Sequence, residues 1–231
     1  MALYMNGQEI SQSSGVPISG VPISGATEPY IEEIYNSDGQ LISANMHGYD
    51  AIRSYMFSDC SNLALTSLPS GITSIGKYAF QKCTKLALTS LPSGVTSIGS
   101  YAFYGCSNLA LTSLPSGITS ISSYAFYDCP KVAFTSLPSG ITSIGVGAFQ
   151  KCTKLALTSL PSGITSIGIN AFEKCTGLTS ITFTGKPTSI ANNAFNGCTN
   201  LTTINVPWAN GAVANAPWGA TNATINYGYA G

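Results

Sequence analysis

The chain has 231 residues, no net charge, and only 8% Asp, Glu, Lys and Arg, against about 25% in an ordinary soluble domain. A balance of zero removes the counterion release that drives nucleic-acid binding and the polybasic contact that holds proteins on anionic membranes. No apolar run reaches about 18 residues, so no segment reads as a membrane-spanning helix, and the start MALYMNGQEI lacks the basic and apolar regions of a secretory signal.

Residues 1–38 lack the pattern that organises the rest and are read as an N-terminal segment that runs into a cap hairpin. They carry a short duplication, VPISG at 16–20 and again at 21–25, whose Pro and Gly favour extended and turn geometry. YIEEIY at 30–35 and QLIS at 40–43 flank Asn36, Ser37, Asp38 and Gly39. Asp-Gly between apolar runs predicts a β-hairpin.

From there the chain is one motif of 23 residues. Cys60, Cys83, Cys106, Cys129, Cys152, Cys175 and Cys198 keep that step, and so do Phe57, Phe80, Phe103, Phe126, Phe149, Phe172 and Phe195. A unit this short cannot bury its own apolar side chains, so the period predicts a solenoid whose core forms by stacking. In the copy after Cys83, LALTSL at 86–91 and VTSI at 95–98 read as two short strands, with Pro92, Ser93 and Gly94 turning between them. Ala-Phe then anchors the corner before the next cysteine. No stretch holds a helical period over about 11 residues, so strands and turns are expected, with at most a short helical turn per unit.

An odd number of cysteines excludes complete intrachain pairing, and their even spacing is unlike the clustered ligands of a zinc site. Side chains stacked about 4.8 Å apart point in parallel. The expectation is a ladder of buried free thiols, with a disulfide staple or a metal site as the alternatives.

The sixth and seventh units drift: LTSITF at 178–183 replaces the LALTSL pattern, and Gly185, Lys186 and Pro187 replace Ser-Gly-Ile. Beyond Cys198 the unit decays into Ala-, Asn- and Gly-rich sequence holding both tryptophans, Trp208 and Trp218. Large rings at the end of a stack predict a cap, because a terminal unit must shield the core; a tryptophan ligand site is the alternative. The expected organisation is therefore an N-terminal segment at 1–38, a solenoid at 39–205 and a C-terminal cap at 206–231.

The unit C-x-x-L…L-P-x-x-[IV]-T-S-I-G-x-x-A-F resembles the BspA-like, or Treponema-type, bacterial leucine-rich repeats over roughly residues 42–206. The resemblance implies a mainly β, right-handed leucine-rich-repeat solenoid of seven units with caps at both ends. It implies a surface protein of intestinal or oral bacteria, similar to adhesins for host proteins, with no catalytic residues. The stretch VPWANGAVANAPWGATNATINY resembles a tail found on such proteins in gut bacteria and their prophages.

One departure from the family pattern stands out. The usual strand reads L-x-x-I-x-[IL]-P, as the sixth and seventh units do, but five inner units read L-x-L-x-x-L-P. Leu65, Leu88, Leu111, Phe134 and Leu157 thus stand one place earlier than Ile181 and Ile204. Strand side chains alternate, so a one-place move turns a residue to the other face. A bulge at Thr-Ser would re-aim the five into the core; otherwise they form an apolar stripe suited to a dimer or a ligand. Burial is the expectation, because each exposed leucine forgoes about 1.5–3 kcal/mol.

Chemistry-bearing constellations are sparse. His47 is the sole histidine, and no carboxylate pair, phosphate loop or nucleophile elbow accompanies it, so no enzyme is expected. Asn-x-Thr at Asn200 and Asn222 matters only in a glycosylating host. Threonine rows (Thr66, Thr89, Thr112, Thr135 and Thr158 on one strand, Thr73, Thr96, Thr119, Thr142 and Thr165 on the other) are either ordinary outward strand residues or a water-ordering array.

Comparing the copies is more informative. The varying positions flank Ala-Phe and Cys, and they carry Tyr78, Lys82, Lys85, Tyr101, Tyr104, Tyr124, Tyr127, Lys151 and Lys154. Tyrosine gives large contact area at low entropy cost, which suits a recognition edge; solvent-facing loop positions also simply tolerate change. The reading is a non-catalytic surface or secreted adhesion scaffold for a protein or a glycan. No cofactor, metal or nucleic acid is expected, and a homo-oligomer could form through the N-terminal segment or the apolar stripe. A phage tail-associated structural or receptor-binding protein is the alternative, motivated by the separate N-terminal segment and the tail-like C-terminus. The resemblance points to a cell-surface, extracellular or virion location. The missing signal is consistent with a chain that stays inside, a leader already removed, or another export route.

Overall fold

The computed structural model describes residues 29–230, together with the backbone of two short strands nearer the start. Those two, β1 (Leu3–Met5) and β2 (Gln8–Ile10), pair antiparallel. The VPISG duplication lies outside the described residues. β3 (Tyr30–Tyr35) and β4 (Leu41–His47) form the hairpin that the Asp-Gly turn predicts, with Tyr30 opposite His47. Asn36 closes the turn: its side-chain oxygen accepts the amides of Asp38 and Gln40 at 3.1 and 2.9 Å. Gly39 sits at φ +71°, a left-handed conformation that glycine adopts freely.

The following strands are short: β5 (Ala51–Ile52), β6 (Ser74–Ile75), β7 (Ser97–Ile98), β8 (Ser120–Ile121), β9 (Ser143–Ile144), β10 (Ser159–Leu160), β11 (Ser166–Ile167), β12 (Ser180–Phe183), β13 (Ser189–Ile190), β14 (Thr203–Val206) and β15 (Thr224–Tyr227). They stack in parallel ladders. β5-β6-β7 and β8-β9-β11-β13 run along one side, and β10-β12-β14-β15 along another. Rungs pair with the residue 23 positions on, as Ser74 with Ser97 and Ile75 with Ile98, except at the last step, where β14 pairs with β15 at an offset of 21, as Thr203 with Thr224. The protein is a β-solenoid, and none of the described residues forms a helix long and apolar enough to cross a membrane.

The corner between the two sides holds the stack together. Phe57, Phe80, Phe103, Phe126, Phe149, Phe172 and Phe195 are buried in one column, neighbouring centroids 5.0–5.6 Å apart. The amide of each phenylalanine from Phe57 to Phe172 donates to the alanine carbonyl of the next turn, as Phe80 to Ala102 at 2.8 Å. The phenylalanine carbonyl accepts twice. It takes the amide of the cysteine three residues on, as Phe80 O from Cys83 N at 3.1 Å. It also takes the thiol of the next turn's cysteine, as Phe80 O from Cys106 Sγ at 2.9 Å. The other buried thiols repeat this bond at 2.9–3.0 Å. All seven cysteines are free. Cys60 departs from the expectation of full burial: it is half-buried, and its thiol lies 3.9 Å from Ser58 O in its own turn.

Close approach explains a glycine column. A Cβ on Gly76, Gly99, Gly145 or Gly168 would sit 2.4–2.7 Å from a backbone nitrogen of the preceding turn. The amides of Gly99 and Gly145 donate to Ile75 O and Ile121 O at 2.8 Å. Ser122 occupies the same place in the fourth turn, and there its hydroxyl takes the Ile98 carbonyl at 2.7 Å. The ladder is interrupted at that step, between β7 and β8.

LALTSL does not form the regular strand expected in the inner turns. There the turns join through one backbone bond, as Ala110 N to Leu88 O and Ala133 N to Leu111 O at 3.0 Å. The reason is the displaced residue. Leu65, Leu88, Leu111, Phe134 and Leu157 all point inward and are buried. Inner turns therefore bury the third, fifth and eighth residues after cysteine, as Leu86, Leu88 and Leu91, whereas the sixth buries the third, sixth and eighth, Leu178, Ile181 and Phe183. The three-residue step between buried side chains comes after the second leucine in the inner turns and before the isoleucine in the later one, where β12 then alternates regularly. Burial overturns the apolar stripe as an oligomer surface.

Both ends are closed by the chain itself. Ala64 N donates to Ile42 O of β4 at 2.9 Å, and Leu41, Ala44 and Met46 cover the first turn. At the other end the unit does not decay as its sequence suggests. β15 pairs with β14, and residues 215–223 rebuild the corner with substitutes. Phe195 N donates to Trp218 O at 2.9 Å, Pro217 stands in the phenylalanine place, and Ala220 stands in the cysteine place, its amide on Pro217 O at 2.9 Å. Proline has no N–H, so the donor that would face a further turn is removed. Trp208 and Trp218 are buried against Phe183, at 5.3 and 6.1 Å between centroids, and Trp218 Nε1 donates to Ala214 O at 2.7 Å.

Two outcomes follow from this packing. Leu111→Asp places a carboxylate in the core and should lower the unfolding free energy by at least about 3 kcal/mol in urea titration; wild-type stability would contradict the inward orientation. The thiols set an alkaline limit. Burial pushes Cys198 up to about 12 and raises Cys129 and Cys175 well above their ordinary value. Unfolded thiols ionise near pH ~8.5. Their contribution is thus fully present below about pH 8.5 and is lost as pH rises toward the folded values, by up to about 1.4 kcal/mol per pH unit for each buried thiol. A melting temperature constant to about pH 8 and falling steeply above about pH 9 is expected; a flat profile to about pH 10.5 would contradict the burial.

Candidate recognition edge

In each of the first six turns two residues adopt left-handed backbone, one on either side of the buried Ala-Phe, and the seventh keeps the second of them, Gly197. The first column is Tyr55, Tyr78, Tyr101, Tyr124, Gly147 and Asn170, at φ +56° to +61°. The second includes Asp59, Lys82, Gly105, Asp128, Lys151, Lys174 and Gly197, at φ +55° to +70°. Such backbone throws these side chains outward on the corner. Glycine and asparagine adopt it readily, but for a large aromatic it is uncommon.

The tyrosines pile into columns. Tyr55, Tyr78, Tyr101 and Tyr124 stack at 4.8, 4.6 and 4.8 Å between centroids. Tyr104 and Tyr127 form a second, parallel pair at 4.5 Å and 4°. The columns touch, with Tyr101 5.7 Å from Tyr104 and Tyr124 6.0 Å from Tyr127. Lysines pack on the rings: Lys77 Nζ lies 5.1 Å from the Tyr78 centroid and Lys151 Nζ 5.0 Å from that of Tyr127. Lys82 faces Asp59 at 3.7 Å. Lys85 and Lys154 lie exposed just past the cysteines.

Crowding shows in the protonation of the group. Burial, then the phenols of Tyr78 and Tyr124, push Tyr101 up. Burial, then Tyr127, does the same to Tyr104. A hydrogen bond with Tyr127 raises Lys151. Tyr101, Tyr104 and Lys151 therefore stay protonated at neutral pH.

Of the nine residues proposed from the sequence, Tyr78, Tyr101, Tyr104, Tyr124, Tyr127 and Lys151 come together on this corner, Lys82 pairs with Asp59 in the neighbouring column, and Lys85 and Lys154 lie exposed two residues past the cysteines. Sequence reasoning missed Tyr55, which heads the first column and is 58% exposed, and Lys131, which stands between Lys85 and Lys154. The step of 23 from Tyr78 and from Lys154 leads to both. His47 lies elsewhere, stacked on Tyr30 at 4.5 Å and 3.9 Å from Glu32. The second threonine row turns into the ladder: Thr73, Thr142 and Thr165 hydroxyls donate to carbonyls of the preceding turn at 3.0–3.1 Å. An open groove of about 480 Å³ lies between β4 and the first turn, lined by Asn45, His47, Thr66 and Pro69 among others. Among the described residues no group of three His, Cys, Asp or Glu is placed to hold a metal ion.

A stack of near-identical turns with its variable side chains gathered on one corner defines a leucine-rich-repeat scaffold. The chain belongs to the BspA type leucine rich repeat family, whose model matches residues 35–156 and 119–214 in six copies. Among solved structures it is similar to a leucine rich repeat protein of T. pallidum, at 23% identity over 76% of this chain and 81% of that one, with a TM-score of 0.43. It is also similar to a leucine rich cell surface protein of Faecalibacterium prausnitzii, at 22% identity, 79% and 71% coverage and a TM-score of 0.48. A leucine-rich repeat protein of Bacteroides ovatus gives 20% identity, 76% and 69% coverage and a TM-score of 0.40. No curated protein matches.

The end of the tyrosine column supplies a test of its geometry. A Cβ on Gly147, at φ +57°, would meet the Tyr124 ring at 2.4 Å. Gly147→Ala should displace that ring, alter the near-ultraviolet tyrosine dichroism and cost about 1–2 kcal/mol; an unchanged spectrum and stability would show that Tyr124 does not lie over this position.

Proposed function

We propose that the protein is a non-catalytic binding scaffold that acts at a cell surface and recognises its partner through the tyrosine and lysine corner. One observation carries the reading: four successive tyrosines occupy left-handed backbone at φ +56° to +61°. Each such residue costs about 1 kcal/mol or more in a position glycine or asparagine fills freely, as Gly147 and Asn170 do further along the column. Stacking recovers about 0.5–1.5 kcal/mol per pair, so the column is close to neutral for stability and its rings are available for contact. Tyrosines of this kind, rigid and amphipathic, are what recognition surfaces are built from.

The test is a binding screen of the intact chain against immobilised extracellular-matrix proteins and glycans. A triple variant, Tyr78→Ser, Tyr101→Ser and Tyr124→Ser, is compared with Thr89→Ala, Thr112→Ala outside the corner. Binding that falls at least about tenfold in the tyrosine variant, with both proteins still folded by circular dichroism, is the expected result. Binding unaffected by the tyrosines, or equally lost in the threonine variant, would place recognition elsewhere.

A further inference from the structure

The neutral total hides a segregation of charge. Residues 1–50 hold six carboxylates and no Lys or Arg, whereas residues 51–231 hold all nine Lys and Arg against three carboxylates. Six of those nine stand in the two columns flanking the cysteines: Lys82, Lys151 and Lys174 before them, and Lys85, Lys131 and Lys154 after them. The column after the cysteines carries no carboxylate, its other members including Asn62 and Asn108, and its three lysines are exposed. Lys131 Nζ donates to Asn108 Oδ1 at 2.5 Å, which holds it in line along the solenoid axis.

We propose that this corner binds a linear polyanionic glycan, laid along the solenoid axis with one acidic sugar to each turn. The inference rests on the corner being the recognition surface and names its ligand class. Two observations select the class. The rings repeat at 4.5–4.8 Å, and a β-1,4-linked hexose advances by about one such strand spacing with alternate sugars flipped, so its like faces recur about every second turn. A peptide strand advances about 3.3 Å per residue, so its like faces recur about 6.6 Å apart, out of step with one turn and with two. The ring faces are closed against each other, so the corner offers ring edges, phenol hydroxyls and ammonium groups. Nucleic-acid bases need open aromatic faces to stack on, whereas the hydroxyls and carboxylates of an acidic sugar need hydrogen-bond partners and positive charge, which this corner repeats turn after turn.

The experiment is calorimetric titration of the intact protein with polymannuronate oligomers, which carry one carboxylate per β-1,4-linked sugar. Cellohexaose serves as the neutral comparator, and poly-L-glutamate and a thymidine oligonucleotide as polyanions of other classes. Polymannuronate should bind the wild type, weaken at least about tenfold between about 50 and 500 mM NaCl, and weaken similarly in Lys85→Gln, Lys131→Gln, Lys154→Gln. Those three side chains are exposed, so the variant should keep its melting temperature. Equal binding of cellohexaose would overturn the anion requirement. Equal binding of poly-L-glutamate or the oligonucleotide would overturn the glycan. Unchanged polymannuronate binding in the lysine variant would overturn the site. If no polymannuronate binds while another partner is lost in the tyrosine triple variant, the polyanion is wrong and the recognition corner stands.

Discussion

The structure depends on one repeated arrangement: a phenylalanine carbonyl that accepts from its own turn's cysteine amide and from the next turn's cysteine thiol, while the phenylalanine amide donates forward. These bonds fix the turn-to-turn distance. A side chain in that place must be short enough to reach the carbonyl and apolar enough to sit among phenylalanine rings without a large desolvation cost. The thiol meets both demands, being a weak donor on a small apolar side chain. The same demand accounts for what ends the stack. At the last corner Ala220 and Pro217 stand instead, so Phe195 O receives no thiol and no phenylalanine-type amide faces a further turn.

Tight spacing at the corner has consequences on its outer side. To return the chain to the same point within 23 residues, the backbone turns left-handed twice in each of the first six turns. That forces the flanking side chains outward in register, one strand spacing apart. Any aromatic placed there stacks on its neighbour, and any charge is repeated along the axis. The recognition corner is thus a by-product of the geometry that closes each turn, decorated by residues the core does not constrain. Function in such a scaffold lives in that decoration and not in the fold.

Uniformity of the core coexists with local variation in the backbone. Inner and later turns bury the same number of apolar residues on the leucine side but at different spacings, and only the later turns gain a four-residue strand there. On the opposite side the Ser122 hydroxyl donates to the Ile98 carbonyl at the one step where that ladder breaks, whereas the amides of Gly99, Gly145 and Ala191 serve the equivalent carbonyls where it continues. The stack tolerates both because each turn contacts mainly its neighbours, so an irregularity is absorbed within one step.

The sequence alone determined the period, the solenoid, the hairpin at Asn36–Gly39 and the cluster of tyrosines and lysines, because a step of 23 places equivalent residues together whatever their detailed conformation. It could not place Leu88 or Leu111 on a face, since alternation predicts one answer and a bulge the other, and only packing against the phenylalanine column selects between them. It did not reveal the eighth corner, because Pro217 and Ala220 replace the residues that mark every other one and keep only the bond from the amide three residues on to the corner carbonyl. Nor did it show that the tyrosine rings stack face to face, closing their faces and leaving edges and hydroxyls. Ring orientation follows from left-handed φ at four successive turns, a property of how the turns press on one another and not of any residue taken singly.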